Sequence, residues 1–183
     1  MKSYVVLMRG INVGGKNKIP MAELKQILDE NGFEEVMTYI QSGNVILRSN
    51  LEPEVLAARI EGVLPGNFAL DGSVKIVAFE HQTYKDIVAN APRVFGSDPD
   101  HYRDNVLFLM GYSPEQAMEQ VDPREGVDQV WAGRNALYFR NSKADASKSH
   151  LSRIVQKPMY QFVTIRNWNT TRKLLELLEG QQS

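Results

Sequence analysis

Val36-Met37-Thr38-Tyr39-Ile40-Gln41-Ser42-Gly43-Asn44-Val45-Ile46-Leu47 contains two short segments suited to extended backbone, joined by Gln41-Ser42-Gly43. Such a pair, bounded by a Ser-Gly turn, reads as a β-hairpin. On its N-terminal side Pro20 fits the first turn of a helix, where its missing N–H is no loss. Met21, Leu24, Ile27 and Leu28 fall on one face of that helix, and Asn31-Gly32 supplies a C-terminal stop. Further back, Tyr4-Val5-Val6-Leu7-Met8 is an apolar run suited to a buried strand. On the other side Pro53 opens a second helix carrying Val55, Leu56, Arg59, Ile60 and Val63, which Pro65-Gly66 is expected to end. Residues 74–79 then alternate into a strand. The order is β-α-β-β-α-β, the ferredoxin-like arrangement.

The same order recurs downstream. Residues 105–110 predict a strand and 114–121 a helix. Residues 127–131 and 136–140 predict a hairpin around Ala132-Gly133-Arg134-Asn135, 148–156 a helix, and 160–165 an extended segment. Residues 81–91 read as a helical connector ending at Pro92, followed by a turn-rich boundary from Gly96 to Asp100. A closing helix carries Leu174, Leu175, Leu177 and Leu178, with Asn169 or Thr170 as its cap. The expected fold is therefore α+β: two ferredoxin-like βαββαβ units packed together, with a C-terminal helix. The expected divisions are 1–80, a connector at 81–103, and 104–183.

Composition narrows the function classes. Hydrophobic residues make up 43% of the 183 and charged residues 23%, the profile of an ordinary globular domain and not of a disordered chain. No apolar run reaches the ~18 residues of a membrane span, and the first ten residues lack a signal-peptide core. With no cysteine, disulfides, thiol nucleophiles and Cys-based metal sites are excluded. The cytoplasm is the expected setting. No cofactor and no metal site are expected. Asp98-Pro99-Asp100-His101 with Asp104 reads as a turn with at most weak affinity for a divalent cation.

Net charge is −1, yet its distribution is uneven. Residues 51–133 carry six basic and fourteen acidic side chains. Residues 134–183 carry nine basic against Asp145, Glu176 and Glu179. That imbalance predicts an electropositive face able to attract an anion. Alternatively, the basic third docks on the acidic middle and the charges cancel.

Three strings carry the candidate chemistry. The first is Arg9-Gly10-Ile11-Asn12-Val13-Gly14-Gly15-Lys16-Asn17-Lys18, between a strand and a helix. Gly10, Gly15 and Lys16 match G-x-x-x-x-G-K. Asn17 replaces the hydroxyl that would hold magnesium, and the helix starts late at Pro20, so a nucleotide triphosphatase is not expected. What remains is a glycine loop whose backbone can approach a ligand, beside Arg9, Lys16 and Lys18. The second string is Arg140 to Arg153, where Ser147 or Ser149 can cap a helix beside Lys148 and His150, a seat for a phosphate or carboxylate. The third is Thr164-Ile165-Arg166-Asn167-Trp168-Asn169-Thr170-Thr171, a polar turn into the last helix. No G-x-S-x-G elbow and no paired histidine ligands are present.

Leu7-Met8-Arg9-Gly10-Ile11-Asn12-Val13-Gly14-Gly15-Lys16-Asn17-Lys18-Ile19-Pro20, Tyr39-Ile40-Gln41-Ser42-Gly43-Asn44 and Val163-Thr164-Ile165-Arg166-Asn167-Trp168-Asn169 together resemble the bacterial domain-of-unknown-function family 1697. The resemblance spans about residues 3–178 and implies a compact α+β protein of two ferredoxin-like units. It implies no activity, substrate or catalytic residue.

The leading functional expectation is binding of an anionic, phosphate-bearing ligand, a small molecule or nucleic acid. The candidate ligand residues are Arg9, Asn12, Gly14, Gly15, Lys16, Arg140, Lys148, His150, Arg166 and Asn169. The first loop and the C-terminal basic turn are expected to meet in one composite site. Two alternatives remain: an enzyme acting on a phosphorylated or carboxylated substrate with His150 as acid–base, and a protein–protein interaction module. No RNP-type aromatic signature supports an RNA-recognition sheet.

Overall fold

The computed structural model describes residues 1–181. Two compact units are present: one contains Met1–Lys85 and the chain from Leu174 onward, the other Asp86–Lys173. Each holds one four-stranded antiparallel sheet.

In the first unit the order of elements is β1 (Lys2–Arg9), α1 (Met21–Glu30), β2 (Glu34–Tyr39), β3 (Asn44–Ser49), α2 (Pro53–Asn67) and β4 (Lys75–Glu80). The sheet runs β2-β3-β1-β4, the ferredoxin-like order. Tyr4, Val6 and Met8 of β1 share a core with Val45 and Leu47 of β3, Leu24 and Leu28 of α1, and Leu56, Ile60 and Leu64 of α2. Val5 and Leu7, on the opposite face, are also fully buried, which explains the unbroken apolar run. Full burial of one such side chain stabilises by roughly 1.5–3 kcal/mol. A β-bulge in β2 lies between Glu34 and Met37, with Glu35 in the left-handed region at φ 50°. α2 runs past Pro65 to Asn67, two residues beyond the expected stop. The proline ring matches helical φ and sits in the last turn, where its missing N–H and crowding of the preceding turn disturb few further bonds, and the Phe68 N–H still reaches the Leu64 carbonyl at 2.9 Å.

α3 (His81–Ala89) follows, then β5 (Tyr102–Leu109), α4 (Pro114–Met118), β6 (Asp128–Ala132), β7 (Ala136–Ser142) and β8 (Val163–Asn167). The second sheet runs β6-β7-β5-β8, the same order as the first. Leu107, Leu137, Phe139 and Val163 share its core with Ala117, Ile154 and Met159.

Three expectations are corrected here. Residues 148–156 do not form an α-helix: Ala146–Lys148, His150–Gln156 and Pro158–Phe162 are successive 3-10 segments, and β8 begins only at Val163. Ser149, at φ −60° and ψ 138°, breaks the first segment from the second, and Pro158 opens the third. The last helix, α5 (Trp168–Gly180), starts earlier than expected. Its cap is Asn167, whose Oδ1 accepts the Thr170 N–H at 2.8 Å. The unit boundary falls inside α3 and again inside α5, so 81–103 is not a separate connector and the end of α5 does not belong to the second unit. The Gln181 Nε2–H, donating to the Glu35 carbonyl at 2.7 Å, ties the chain after α5 to the first unit.

Candidate ligand-binding loop

In the first unit, loop 10–19 leaves β1 beside the β2–β3 turn. Its tip is a two-residue turn: Gly14 (φ 60°) and Gly15 (φ 77°) sit between Val13 and Lys16, and the Lys16 N–H donates to the Val13 carbonyl at 3.1 Å. Positive φ at both central residues makes this a miniature hairpin, so the Gly-Gly-Lys string is a β-turn and not a phosphate-wrapping loop. Two asparagines in the left-handed conformation fix its base. Asn12 (φ 54°) donates from Nδ2 to the Ile19 and Gln41 carbonyls at 2.9 and 2.8 Å, and its Oδ1 accepts the Ile19 N–H at 2.8 Å. Asn17 (φ 46°) donates to the Gly10 carbonyl at 2.9 Å and accepts the Asp71 N–H at 2.6 Å. The Asn12 amide is therefore spent on stapling the loop to the β2–β3 turn, a correction to its expected role as a ligand contact.

The packing across this joint is close. A Cβ on Gly43 would lie 2.8 Å from both Ile11 Cδ1 and Met8 Cβ, at φ 74°. Next to it Ile40 adopts φ 48° while half exposed, an unusual state for a β-branched side chain. The charged groups stay outside: Lys16 and Lys18 are exposed. Lys16 Nζ meets Asp71 Oδ2 at 2.9 Å, with both side chains about 70% exposed. That contact raises the lysine's pKa and lowers the aspartate's, through the side-chain hydrogen bond first and the charge attraction second. At the loop end of the sheet Arg9 stands directly across from Lys75 on β4.

The second unit places its expected residues differently. Arg140 is 5% exposed and grips Asp104, Nε to Oδ1 at 2.6 Å and Nη2 to Oδ2 at 2.8 Å. Nη2 also donates to the Val94 carbonyl, and the guanidinium lies 4.7 Å from the Tyr102 ring centroid. Asp104 further accepts the Gly96 N–H at 2.7 Å. The expected anion seat at Ser149 and His150 is filled by Asp128 of β6. Its Oδ1 accepts the Ser149 hydroxyl at 2.6 Å, and its Oδ2 accepts the His150 N–H at 2.8 Å. The His150 ring sits against Asp122, with Nδ1 2.9 Å from the carbonyl. Lys148 pairs with Asp145 at 2.7 Å. Arg166 is buried and donates to Thr164 Oγ1 and the Ile165 carbonyl. As expected ligand walls, Arg140 and Arg166 are corrected: burial and internal acceptors make them core residues. Asn169 is exposed and lines a cleft of about 430 Å³ with Arg103, Lys143 and Trp168.

The residues that reasoning from the sequence missed are the acids. Asp104, third in β5, and Asp128, first in β6, are both buried, and a buried carboxylate has to find an internal donor. Among the described residues, no group of three or more His, Cys, Asp or Glu is placed to hold a metal ion.

The class these observations define is a protein of two ferredoxin-like sheets, the first bearing a stapled glycine loop. The chain belongs to the family described as protein of unknown function (DUF1697), whose model matches residues 1–138. The third string, 163–169, lies beyond that match. The chain is also similar to the conserved bacterial protein SP0830 from Streptococcus pneumoniae, with 29% identity and a TM-score of 0.80 over 97% of this chain and 98% of that one. A second relative is the DNA-directed RNA polymerase subunit beta' of Herpetosiphon aurantiacus, 24% identical over 142 residues. That match takes in 78% of this chain but spans only 9% of the relative's length. No helix is long and apolar enough to cross a membrane among the described residues.

Proposed function

We propose that this protein binds a phosphate-bearing ligand at loop 10–19 of its first unit. The observation that carries the reading is a pair of exposed lysines, Lys16 and Lys18, on a turn held in one shape by the side-chain hydrogen bonds of Asn12 and Asn17. An anion accepts charge-assisted hydrogen bonds from such ammonium groups. The exposed Lys16–Asp71 pair is weak enough to open for a ligand. The hydrogen bonds of Asn12 and Asn17 hold the loop in one shape, and the left-handed Ile40 in the adjoining β2–β3 turn is the kind of backbone strain found near binding sites. Since one relative carries the similar stretch inside a DNA-directed RNA polymerase subunit, a single-stranded oligonucleotide is the ligand to try first. The absence of cysteine accords with a cytoplasmic setting.

The test is fluorescence anisotropy of a labelled oligonucleotide across a salt series, with inorganic pyrophosphate as the small-anion arm. An oligonucleotide held by several cations gives a log–log salt slope of about −0.7 per phosphate neutralised. The Lys16→Ala/Lys18→Ala variant is expected to flatten that slope by about 1.4. A shallow slope with tight pyrophosphate binding identifies a small anion instead. If the double variant binds both probes as the natural sequence does, the loop is not the site.

A further inference from the structure

The second unit holds an open cleft whose polar side chains the core does not use. It measures about 430 Å³, within the size range of small-molecule sites, and every residue lining it falls within 86–173. Arg103 and Asn105, two apart on β5, share one face of the sheet, and Asn167 of β8 stands directly opposite Asn105 in the register. Lys143 and the half-buried rings of Tyr102 and Trp168 line the same cleft.

The cations of this cleft are available. Arg103 lies outside the basic stretch 134–173; it is exposed, and its guanidinium has no acceptor among the described residues. Lys143, also exposed, donates to the Pro99 carbonyl and to no carboxylate among them. Asp104, the acid in the cleft wall, is buried and already spent on Arg140 and the Gly96 N–H. Asp98 turns to His101 instead, at 2.8 Å. The Asn105 amide has no partner among the described residues and stays open to solvent. The rings, by contrast, are fixed. Tyr102 has the Arg140 guanidinium 4.7 Å from its centroid, and Trp168 packs edge-to-face on Phe95 at 5.5 Å. Gly96 makes room for the indole, since a Cβ there would stand 2.8 Å from Trp168 Nε1. A ligand entering here meets walls already in place and loses little to reorganisation.

We propose that this cleft binds an aromatic anion, a flat ring bearing a carboxylate or phosphate group. Arg103 offers the acidic group a planar fork of N–H donors, and Lys143 adds the second charge. Tyr102 and Trp168 contact the ring, while the Asn105 and Asn167 amides meet its polar edge. The proposal is independent of the reading of loop 10–19.

Protein-observed NMR titration, read at the Trp168 indole N–H and the Asn105 amide, tests this with 1-naphthoate and adenosine monophosphate. Acetate and inorganic phosphate are their ringless controls, and 1-naphthalenemethanol and adenosine their uncharged ones. At least one ring anion is expected to bind about tenfold or more tightly than both of its controls. Which of the two does so tells a carboxylate site from a phosphate site. Arg103→Gln, at an exposed position, is expected to remove about tenfold in affinity for that anion and to leave its uncharged control unaltered. The proposal is overturned if neither ring anion shifts the Trp168 indole at millimolar concentration. It is equally overturned if a control binds as tightly as its ring anion, or if Arg103→Gln binds as the natural sequence does. Shifts confined to residues 10–19 and lost in Lys16→Ala/Lys18→Ala overturn it while supporting the loop, so the two readings fail separately.

Discussion

Loop 10–19 and the stretch 134–173 carry similar side chains, Lys and Arg among Asn, Ser and Gly, yet they use them in opposite ways. In the second unit the counter-charges are built in. Asp104 holds Arg140 with both side chains about 5% exposed, Asp128 occupies the donors of Ser149 and His150, and Asp122 faces His150 and Arg153. In the first unit the loop's staples are neutral amides, and Lys16 meets only an exposed carboxylate. Density of charge along a sequence therefore says little about charge available to a ligand. A buried carboxylate turns a cation into part of the core, whereas an amide staple leaves the cation outside.

The sharpest way to break this contrast is Asp104→Ala. It strands the Arg140 guanidinium in the interior and leaves the Gly96 N–H unmet, so urea denaturation is expected to show a loss of about 3–5 kcal/mol. Replacing both partners, Asp104→Leu with Arg140→Met, is expected to recover most of it, because an apolar pair carries no desolvation cost. A single variant losing under about 1 kcal/mol makes the pair a bystander. Asp128→Ala comes next. It frees the Ser149 hydroxyl and the His150 and Arg124 N–H groups, and is expected to cost roughly 1–3 kcal/mol, with hydrogen exchange rising first at 146–156.

In the first unit, Asn12→Ala removes three hydrogen bonds and forces alanine into the left-handed region. The expected stability loss is about 1–2 kcal/mol. Limited proteolysis is expected to open a new cleavage site within 10–19. The smallest effect belongs to an exposed pair of the second unit. His101 Nδ1 lies 2.8 Å from Asp98 Oδ1, and that hydrogen bond, then the aspartate's charge, raises the imidazole pKa above its ordinary 6.5. A pKa raised on folding stabilises fully below the unfolded value and ceases to do so as pH rises through the folded value. NMR titration should find the His101 midpoint above 6.5, and Asp98→Asn should lower it.

The first unit was readable because its signals are local. Pro20, the one-face spacing of Met21, Leu24 and Leu28, and the Ser42-Gly43 turn each act within a few residues. The second unit's departures are long-range. Asp104 and Arg140 are cross-strand neighbours on β5 and β7, a pairing that only the register reveals. Asp128 reaches 21 and 22 residues ahead to tie Ser149 and His150, so 148–156 kept helical spacing but became 3-10 turns under a tether that spacing does not encode. The Asn12 staple was hidden for a related reason. An Asn in a glycine-rich loop looks free until the carbonyl of Gln41 is brought beside it.

Because the first unit resumes at Leu174, residues 86–173 are an insertion within it as the chain is read. With synthesis at ~5–20 residues per second, every strand of the second unit is made before Leu174 and Leu178. The first sheet is made well before the last helical turns that close its unit. The order of completion is thus the reverse of the order of synthesis, and the late-arriving helix is the last stitch in the half of the molecule that was translated first.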